Sequence, residues 1–171
     1  KANAAFVGIG RNKRVILPDT LEDKYSYDEV EVILAHEFAH YHLKHLLKLL
    51  LMNSIGIVLS LYIIFKTNRF ILGLFGIDSL REISSFPVIL IYLTVLGIIA
   101  TPLQNYLSRC FEMNADKMAL KTTGLKNSFI STMDKLATQN LADRRPSRLI
   151  KIFFFDHPPI DERIEMAKEK F

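Results

Sequence analysis

The sequence predicts a mainly α-helical fold of the α+β class, in which a small N-terminal β-hairpin precedes long helices. Three observations support this prediction. Two uncharged apolar runs, 49–65 and 86–103, each have about the length of a short membrane-spanning helix. The neighbouring stretches 27–48 and 105–116 contain no Pro or Gly and have helical composition. Short strand-like apolar runs are found before Pro18.

The composition limits the possible functions. A chain of 171 residues supports one compact domain, and 50% of its residues are apolar, which is a high share for a soluble protein. The formal net charge is +4, but Lys and Arg are scattered and are not interleaved with aromatic residues. We therefore expect no nucleic-acid partner. Cys110 is the single cysteine, which excludes an internal disulfide.

The N-terminal segment has the pattern of a β-hairpin. Residues 4–9 and 14–17 are apolar runs joined by Gly10-Arg11-Asn12-Lys13 and ended by Pro18-Asp19. An exposed edge of this hairpin could bind an extended peptide by β-augmentation and lay its scissile bond over a metal. A purely structural hairpin is the alternative.

A metal-binding motif, H-E-x-x-H, occupies residues 36–40 on a predicted helix. His36 and His40 are four residues apart and lie on one helix face, so both can bind one metal ion. Glu37 would then be placed to take a proton from water activated by the metal. Ser26 or Asp28 can cap the start of this helix.

Two further histidines follow the motif. On a continuous helix, His42 and His45 lie about 240° and 180° around the axis from His36. We therefore do not expect either of them to be a metal ligand.

The two apolar runs predict a transmembrane helical hairpin. Both are apolar on all faces, and a domain of this size has little core in which to bury them. A pair of long core helices is the alternative. We expect the helix of the H-E-x-x-H motif to run directly into the first apolar run. This would place the metal near the membrane surface, where substrates are themselves membrane-bound.

A catalytic zinc site needs a third protein ligand and one position left open for water. After the second apolar run, Glu112 and Asp116 are four residues apart and share a helix face with Arg109. Glu112 could be the third ligand, with Asp116 as a carboxylate that accepts the N–H of a ligand imidazole. The alternative is an ordinary surface turn in which Arg109 pairs with Glu112.

Residues 156–164 begin a last predicted helix, with Pro placed early in it. His157 could donate a hydrogen bond to a developing oxyanion, or simply cap this helix. Arg163 could pair with a carboxylate of the site or face water.

Four motifs in this order resemble those of the integral-membrane zinc metallopeptidases, the group of the type I CAAX prenyl proteases and the HtpX heat-shock proteases. They are His-Glu-Phe-Ala-His at 36–40, two apolar spans, Ser-Arg-Cys-Phe-Glu-Met-Asn-Ala-Asp at 108–116, and His-Pro-Pro-Ile-Asp-Glu-Arg-Ile at 157–164. Residues 13–21 also look like the strand and turn that precede the zinc helix in the CAAX-protease branch.

The resemblance implies one gluzincin-like, membrane-embedded peptidase domain over 1–171. Its parts would be a β-hairpin and zinc helix at 1–48, a transmembrane hairpin at 49–104, and the third-ligand and C-terminal helices at 105–171. We expect a fragment, because the further N-terminal membrane helices of the family are absent from it.

The resemblance also implies roles for individual residues. One zinc ion per chain would be held by His36, His40 and Glu112, with Glu37 as general base and His157 at the site. Other residues that the resemblance places at or near the site are Asp116, Arg163, Arg109 and Asn105.

The expected function is that of a zinc endopeptidase in the bacterial inner membrane or the endoplasmic reticulum membrane, with its site on the cytoplasmic side. Its partners would be the lipid bilayer and membrane-associated or prenylated proteins, cleaved in CAAX-type processing or in membrane-protein quality control. One alternative is a membrane-anchored zinc-binding chaperone or interaction protein without turnover. Another is a soluble zinc peptidase whose apolar hairpin packs in a dimer interface.

Overall fold

A computed structural model describes residues 5–7, 14–16, 24–139, 141 and 143–171 of the chain. Its elements, in chain order, are β1 (Ala5–Val7), β2 (Arg14–Ile16), α1 (Tyr27–His42), α2 (His45–Gly73), α3 (Ser85–Thr123), α4 (Lys126–Gln139), α5 (Arg148–Phe154) and α6 (Ile160–Lys170). The chain divides into two compact units. One combines Lys1–Leu46 with Asn105–Phe171, and the other is Leu47–Gln104.

The two strands lie within the apolar runs for which the sequence predicts a hairpin. β1 and β2 pair antiparallel, with Ala5 opposite Ile16 and Val7 opposite Arg14. The predicted connection at 10–13 and the predicted end at Pro18-Asp19 lie outside the described residues.

Helix α1 begins with a capping box. The Ser26 hydroxyl accepts a hydrogen bond from the Glu29 backbone N–H at 3.3 Å, and the Glu29 carboxylate accepts one from the Ser26 backbone N–H at 2.7 Å. Glu29 is buried and also accepts hydrogen bonds from Ser131 and Lys135 of α4, each at 2.6 Å. These contacts fix the start of α1 against α4, and therefore fix the helix that carries the H-E-x-x-H motif.

The prediction that α1 runs directly into the first apolar run is wrong. Helix α1 ends at His42 and α2 begins at His45, because Lys44 adopts the left-handed conformation with φ 55°. A non-glycine residue in this conformation costs roughly 1–2 kcal/mol. The break turns the backbone so that His45 becomes buried against the ring of Phe111, which offsets part of that cost.

The first unit has its own hydrophobic core, which holds α1 and α3 in place. The core is formed by helices α1, α3, α4 and α6. Its buried residues are Val32, Leu120, Phe129, Met133, Ile164, Met166 and Ala167. The metal-binding motif of α1 and the predicted third-ligand stretch of α3 are thus carried by helices that share one core.

The second unit consists of most of α2 and the first half of α3. Both helices are long and apolar enough to cross a membrane, and only 6% of the most apolar 18-residue window of each is buried. A core helix of a soluble protein would be mostly buried, so these exposed apolar surfaces favour the transmembrane interpretation over the core-helix alternative. Helix α3 continues without interruption through Pro102 to Thr123, so the second apolar run and Glu112 share one helix.

Candidate metal centre

Three side chains from α1 and α3 converge on one point. The Nε2 atoms of His36 and His40 are 3.0 Å apart, one helical turn from each other on α1. From α3, Glu112 brings Oε2 to 3.4 Å from His36 Nε2 and Oε1 to 3.3 Å from His40 Nε2. Glu112 is buried, and both imidazoles are partly buried. Each imidazole nitrogen thus faces a different oxygen of the Glu112 carboxylate, and one ligand atom from each of the three residues lies within 4.8 Å of the other two.

The spacing of these donor atoms fits a single zinc ion. Tetrahedral zinc with bonds of 2.0–2.1 Å to nitrogen and oxygen requires ligand atoms about 3.3 Å apart. The two Nε2 atoms are 3.0 Å apart, and they lie 3.4 and 3.3 Å from Oε2 and Oε1 of Glu112, which is close to that value. Two imidazoles and one carboxylate are also the donor set of many catalytic zinc sites, which leave the fourth position to water. The donors therefore fit the metal in both chemistry and spacing.

Asp116 and Arg163 lie behind His36. Asp116 Oδ1 is 2.9 Å from His36 Nδ1. Arg163 donates from Nε to Oδ2 at 2.6 Å and from Nη2 to Oδ1 at 2.5 Å. The Asp116 side chain is fully buried and Arg163 is 7% exposed, so the pair is shielded from water. Of the two arrangements predicted for Arg163, pairing with a carboxylate of the site or facing water, the structure has the pairing.

Charges in this cluster separate the protonation states of the two histidines. Burial acts to lower the pKa of His36, but the carboxylates of Asp116 and Glu112 outweigh it and raise the pKa to about 9. Burial and the positive charge of His36 lower the pKa of His40 to about 4. Without a metal, His36 therefore holds a proton at neutral pH, and this proton must leave when Nε2 binds a metal.

Both carboxylates of the cluster are ionised. Burial acts to raise the pKa of Glu112, but His36, His157 and His40 outweigh it and lower the pKa to about 2. For Asp116, burial is opposed by the charge of Arg163 and by His36, which together hold its pKa well below the usual range. Two fixed negative charges beside two imidazoles favour a divalent cation at this point.

His45 lies behind His40. Its Nδ1 is 3.1 Å from His40 Nδ1, and its ring stacks on Phe111 with centroids 4.7 Å apart and an interplanar angle of 17°. The side chain is buried, with 2% exposure. No role was predicted for His45, because a continuous helix would place it on another face, and the break at Lys44 changes its position.

Glu37 lies beside the cluster and is partly buried. Burial raises the pKa of its carboxyl group, and the negative charge of Glu112 adds to this effect, while His36 and His157 partly oppose it. A carboxylate with a raised pKa is a stronger base, which suits a group that accepts a proton from water.

His157 reaches the cluster from the segment between α5 and α6. Its Nε2 is 3.6 Å from Glu112 Oε1, and its Nδ1 is 2.9 Å from Asp156 Oδ1. The side chain is 58% exposed. Pro159 is the N-cap of α6, so the alternative in which His157 caps that helix does not apply.

Comparison with known proteins identifies the family. The model of peptidase family M48 matches residues 1–170. The chain belongs to peptidase family M48.

Relatives of this M48 chain include proteins of bacteria and yeast. It is 33% identical over 172 residues to the uncharacterized metalloprotease YhfN of Bacillus subtilis, covering 98% of this chain and 40% of that protein. It is 28% identical over 181 residues to CAAX prenyl protease 1 of Saccharomyces cerevisiae, covering 95% of this chain and 40% of that protein. It is 27% identical over 183 residues to protease HtpX of Xylella fastidiosa, covering 95% of this chain and 61% of that protein. The chain thus spans only part of each relative.

A solved structure has the same fold as this M48 chain. The crystal structure of S. mikatae Ste24p matches with a TM-score of 0.77 and 26% sequence identity. The match covers 97% of this chain and 42% of that one.

Asn105 and Arg109 contact α5 and not the three ligands. Asn105 Nδ2 donates to the carbonyl oxygens of Ile152 and Phe153, and Arg109 Nη1 donates to those of Lys151 and Phe155. The last carbonyls of a helix have no partner within it, and these two side chains satisfy them. The two residues therefore fix the end of α5, next to the segment that carries His157. The predicted alternative, a pair between Arg109 and Glu112, is replaced by contacts of Glu112 with three histidines.

Proposed function

We propose that this M48 chain is the catalytic part of a membrane-embedded zinc endopeptidase. The observation that carries the proposal is the cluster of His36, His40 and Glu112, whose spacing and chemistry suit one zinc ion. Family membership supports the same chemistry.

In the proposed mechanism, His36, His40 and Glu112 hold one zinc ion per chain. Bound zinc supplies Lewis acidity, which brings the ionisation of water close to neutral pH. Glu37 accepts the proton of the attacking water and then transfers it to the leaving amine, a task to which its raised pKa is suited. The two transfers return Glu37 to its starting state.

The other predicted residues support these steps. Asp116, locked by Arg163, holds the orientation of His36 from behind. An N–H at Nε2 of His157 can donate to the oxyanion that develops on the substrate carbonyl. Asp156 beside Nδ1 fixes the orientation of that ring.

We further propose that the substrates are prenylated or otherwise membrane-associated proteins, cleaved on the cytoplasmic side of the membrane. Leu103, at the end of the second apolar run, precedes Glu112 by only about nine residues in the sequence. This short separation supports a catalytic site close to a bilayer surface. Relatives named CAAX prenyl protease 1 and HtpX support CAAX-type processing and membrane-protein quality control as the candidate tasks.

The decisive experiment replaces Glu37 with Gln in the full chain, reconstituted in lipid. Glu37→Gln removes the base but none of the three ligands, so zinc content should match the wild type while cleavage falls by at least about 100-fold. Zinc is measured by mass spectrometry, and cleavage on a farnesylated CAAX peptide and on an unfolded membrane protein. Glu31→Gln, an exposed position on the same helix, is the control.

Cleavage by Glu37→Gln at the wild-type rate would contradict the proposal. Zinc bound by a wild-type chain that cleaves neither substrate would favour the alternative of a zinc-binding protein without turnover.

A further inference from the structure

The two ligand histidines have different groups behind them. His36 has the carboxylate of Asp116 at its Nδ1, whereas His40 has the imidazole of His45 at the same atom, 3.1 Å away. We propose that His45 is a positioning residue of the metal centre, which accepts the Nδ1–H of His40 and thereby fixes its tautomer and ring orientation. This inference rests on the proposed zinc site.

The hydrogen bond allows only one arrangement of protons once a metal is bound. His40 uses the lone pair of Nε2 for the metal, so its proton is on Nδ1. Nδ1 of His45 must then be the acceptor, and the proton of a neutral His45 is on Nε2. If both Nδ1 atoms carried a proton, the two N–H groups would repel each other. If neither did, no hydrogen bond could form.

The fold holds His45 rigidly in this position. Its ring is 2% exposed, stacks on Phe111 and meets the His40 ring edge-on, with centroids 4.9 Å apart and an interplanar angle of 80°. Phe111 precedes the ligand Glu112 on α3, so one helix fixes both a ligand and the ring behind another ligand.

The break at Lys44 is what makes this contact possible. Five residues of continuous helix would place His45 about 140° around the axis from His40, on a different face. The left-handed backbone at Lys44 starts a new helix at His45 and brings its Nδ1 to His40 instead. The strained backbone at Lys44 therefore places His45 behind the proposed ligand His40.

A matched pair of substitutions separates hydrogen bonding from packing. In His45→Asn, the amide oxygen is as many bonds from the backbone as Nδ1, so the acceptor remains. The Leu side chain of His45→Leu has the same branching as Asn and a similar size, but it has no hydrogen-bond acceptor. His45→Phe keeps a ring against Phe111 and also lacks the acceptor, and it serves if the Leu variant does not fold. His42→Leu is the control, since His42 is exposed.

The primary measurement is zinc affinity of the full chain by competition with a chelator. Loss of a group that orients a ligand typically weakens metal binding 10- to 100-fold. We expect this loss in His45→Leu and His45→Phe, and a change within about threefold in His45→Asn and His42→Leu. The visible spectrum of bound Co²⁺ should change in the same two variants, because the His40 ring is no longer fixed.

Two results would overturn the proposal. One is wild-type zinc affinity in His45→Leu or His45→Phe, and the other is equal weakening in His45→Asn and His45→Leu, which would indicate packing alone. Failure of the proposed function is a separate result, because it would appear as a wild-type chain that binds no zinc or as an active Glu37→Gln variant.

Discussion

The buried pair of Asp116 and Arg163 gives the sharpest stability prediction. In Arg163→Met the two short hydrogen bonds to Asp116 disappear, and a carboxylate with no exposure to water loses its arginine partner. Removing one partner of a buried ion pair costs about 3–5 kcal/mol. For a chain of this size, that loss corresponds to a fall in Tm of about 6 to 20 °C. Thermal unfolding followed by circular dichroism in detergent measures it, since the chain has no Trp.

Two further variants make the test specific. Arg163→Met combined with Asp116→Leu removes both charges, so it should recover most of the lost stability while zinc affinity stays low, because His36 has lost its carboxylate. Arg145→Met removes an Arg that is 77% exposed and should cost less than about 1 kcal/mol. The reasoning is refuted if Arg163→Met lowers Tm no more than Arg145→Met does.

Two other predictions concern the ends of helix α1. Lys44→Gly should stabilise the chain by up to about 1 kcal/mol, since glycine adopts positive φ without strain, and Lys44→Ala should leave Tm unchanged. A lower Tm in the glycine variant would contradict this. At the other end, burial acts to raise the pKa of Glu29, but Lys135 and Ser131 outweigh it and hold the pKa low. The resulting stability is present above the unfolded pKa of about 4.3 and is lost as pH falls through the folded value. Tm should therefore drop below about pH 4, and a Glu29→Gln variant with the same acid profile as the wild type would argue against it.

Local spacing was enough to pair the residues that share a turn within each helix of the candidate metal centre. His36 and His40 are neighbours on one helical turn, and Glu112 and Asp116 are neighbours on another. Because each pair depends only on helix periodicity, the sequence alone could bring together its members. That the two turns face each other depends on the shared core of α1 and α3, which local spacing does not reveal. The motifs of the family supplied that link.

What the sequence could not predict depends on backbone breaks and on contacts between distant segments. The contact between His45 and His40 was not predicted, because a continuous helix was assumed. The left-handed turn at Lys44 contains no Gly or Pro from which it could be predicted. Asn105 and Arg109 bind carbonyl oxygens of α5, more than forty residues away in the chain. Because every residue has a backbone carbonyl oxygen, the sequence does not indicate which residue accepts such a hydrogen bond.

The link from Arg163 through Asp116 to His36 has a consequence for the time at which the site is completed during translation. His36, His40 and Glu112 all leave the ribosome before Arg163 does. Until Arg163 arrives, the Asp116 carboxylate lacks its arginine partner, so the support behind His36 is not yet in place. A nascent chain therefore carries the three candidate ligands before the site is finished, and we expect the proposed hydrolysis to begin only after α6 has docked.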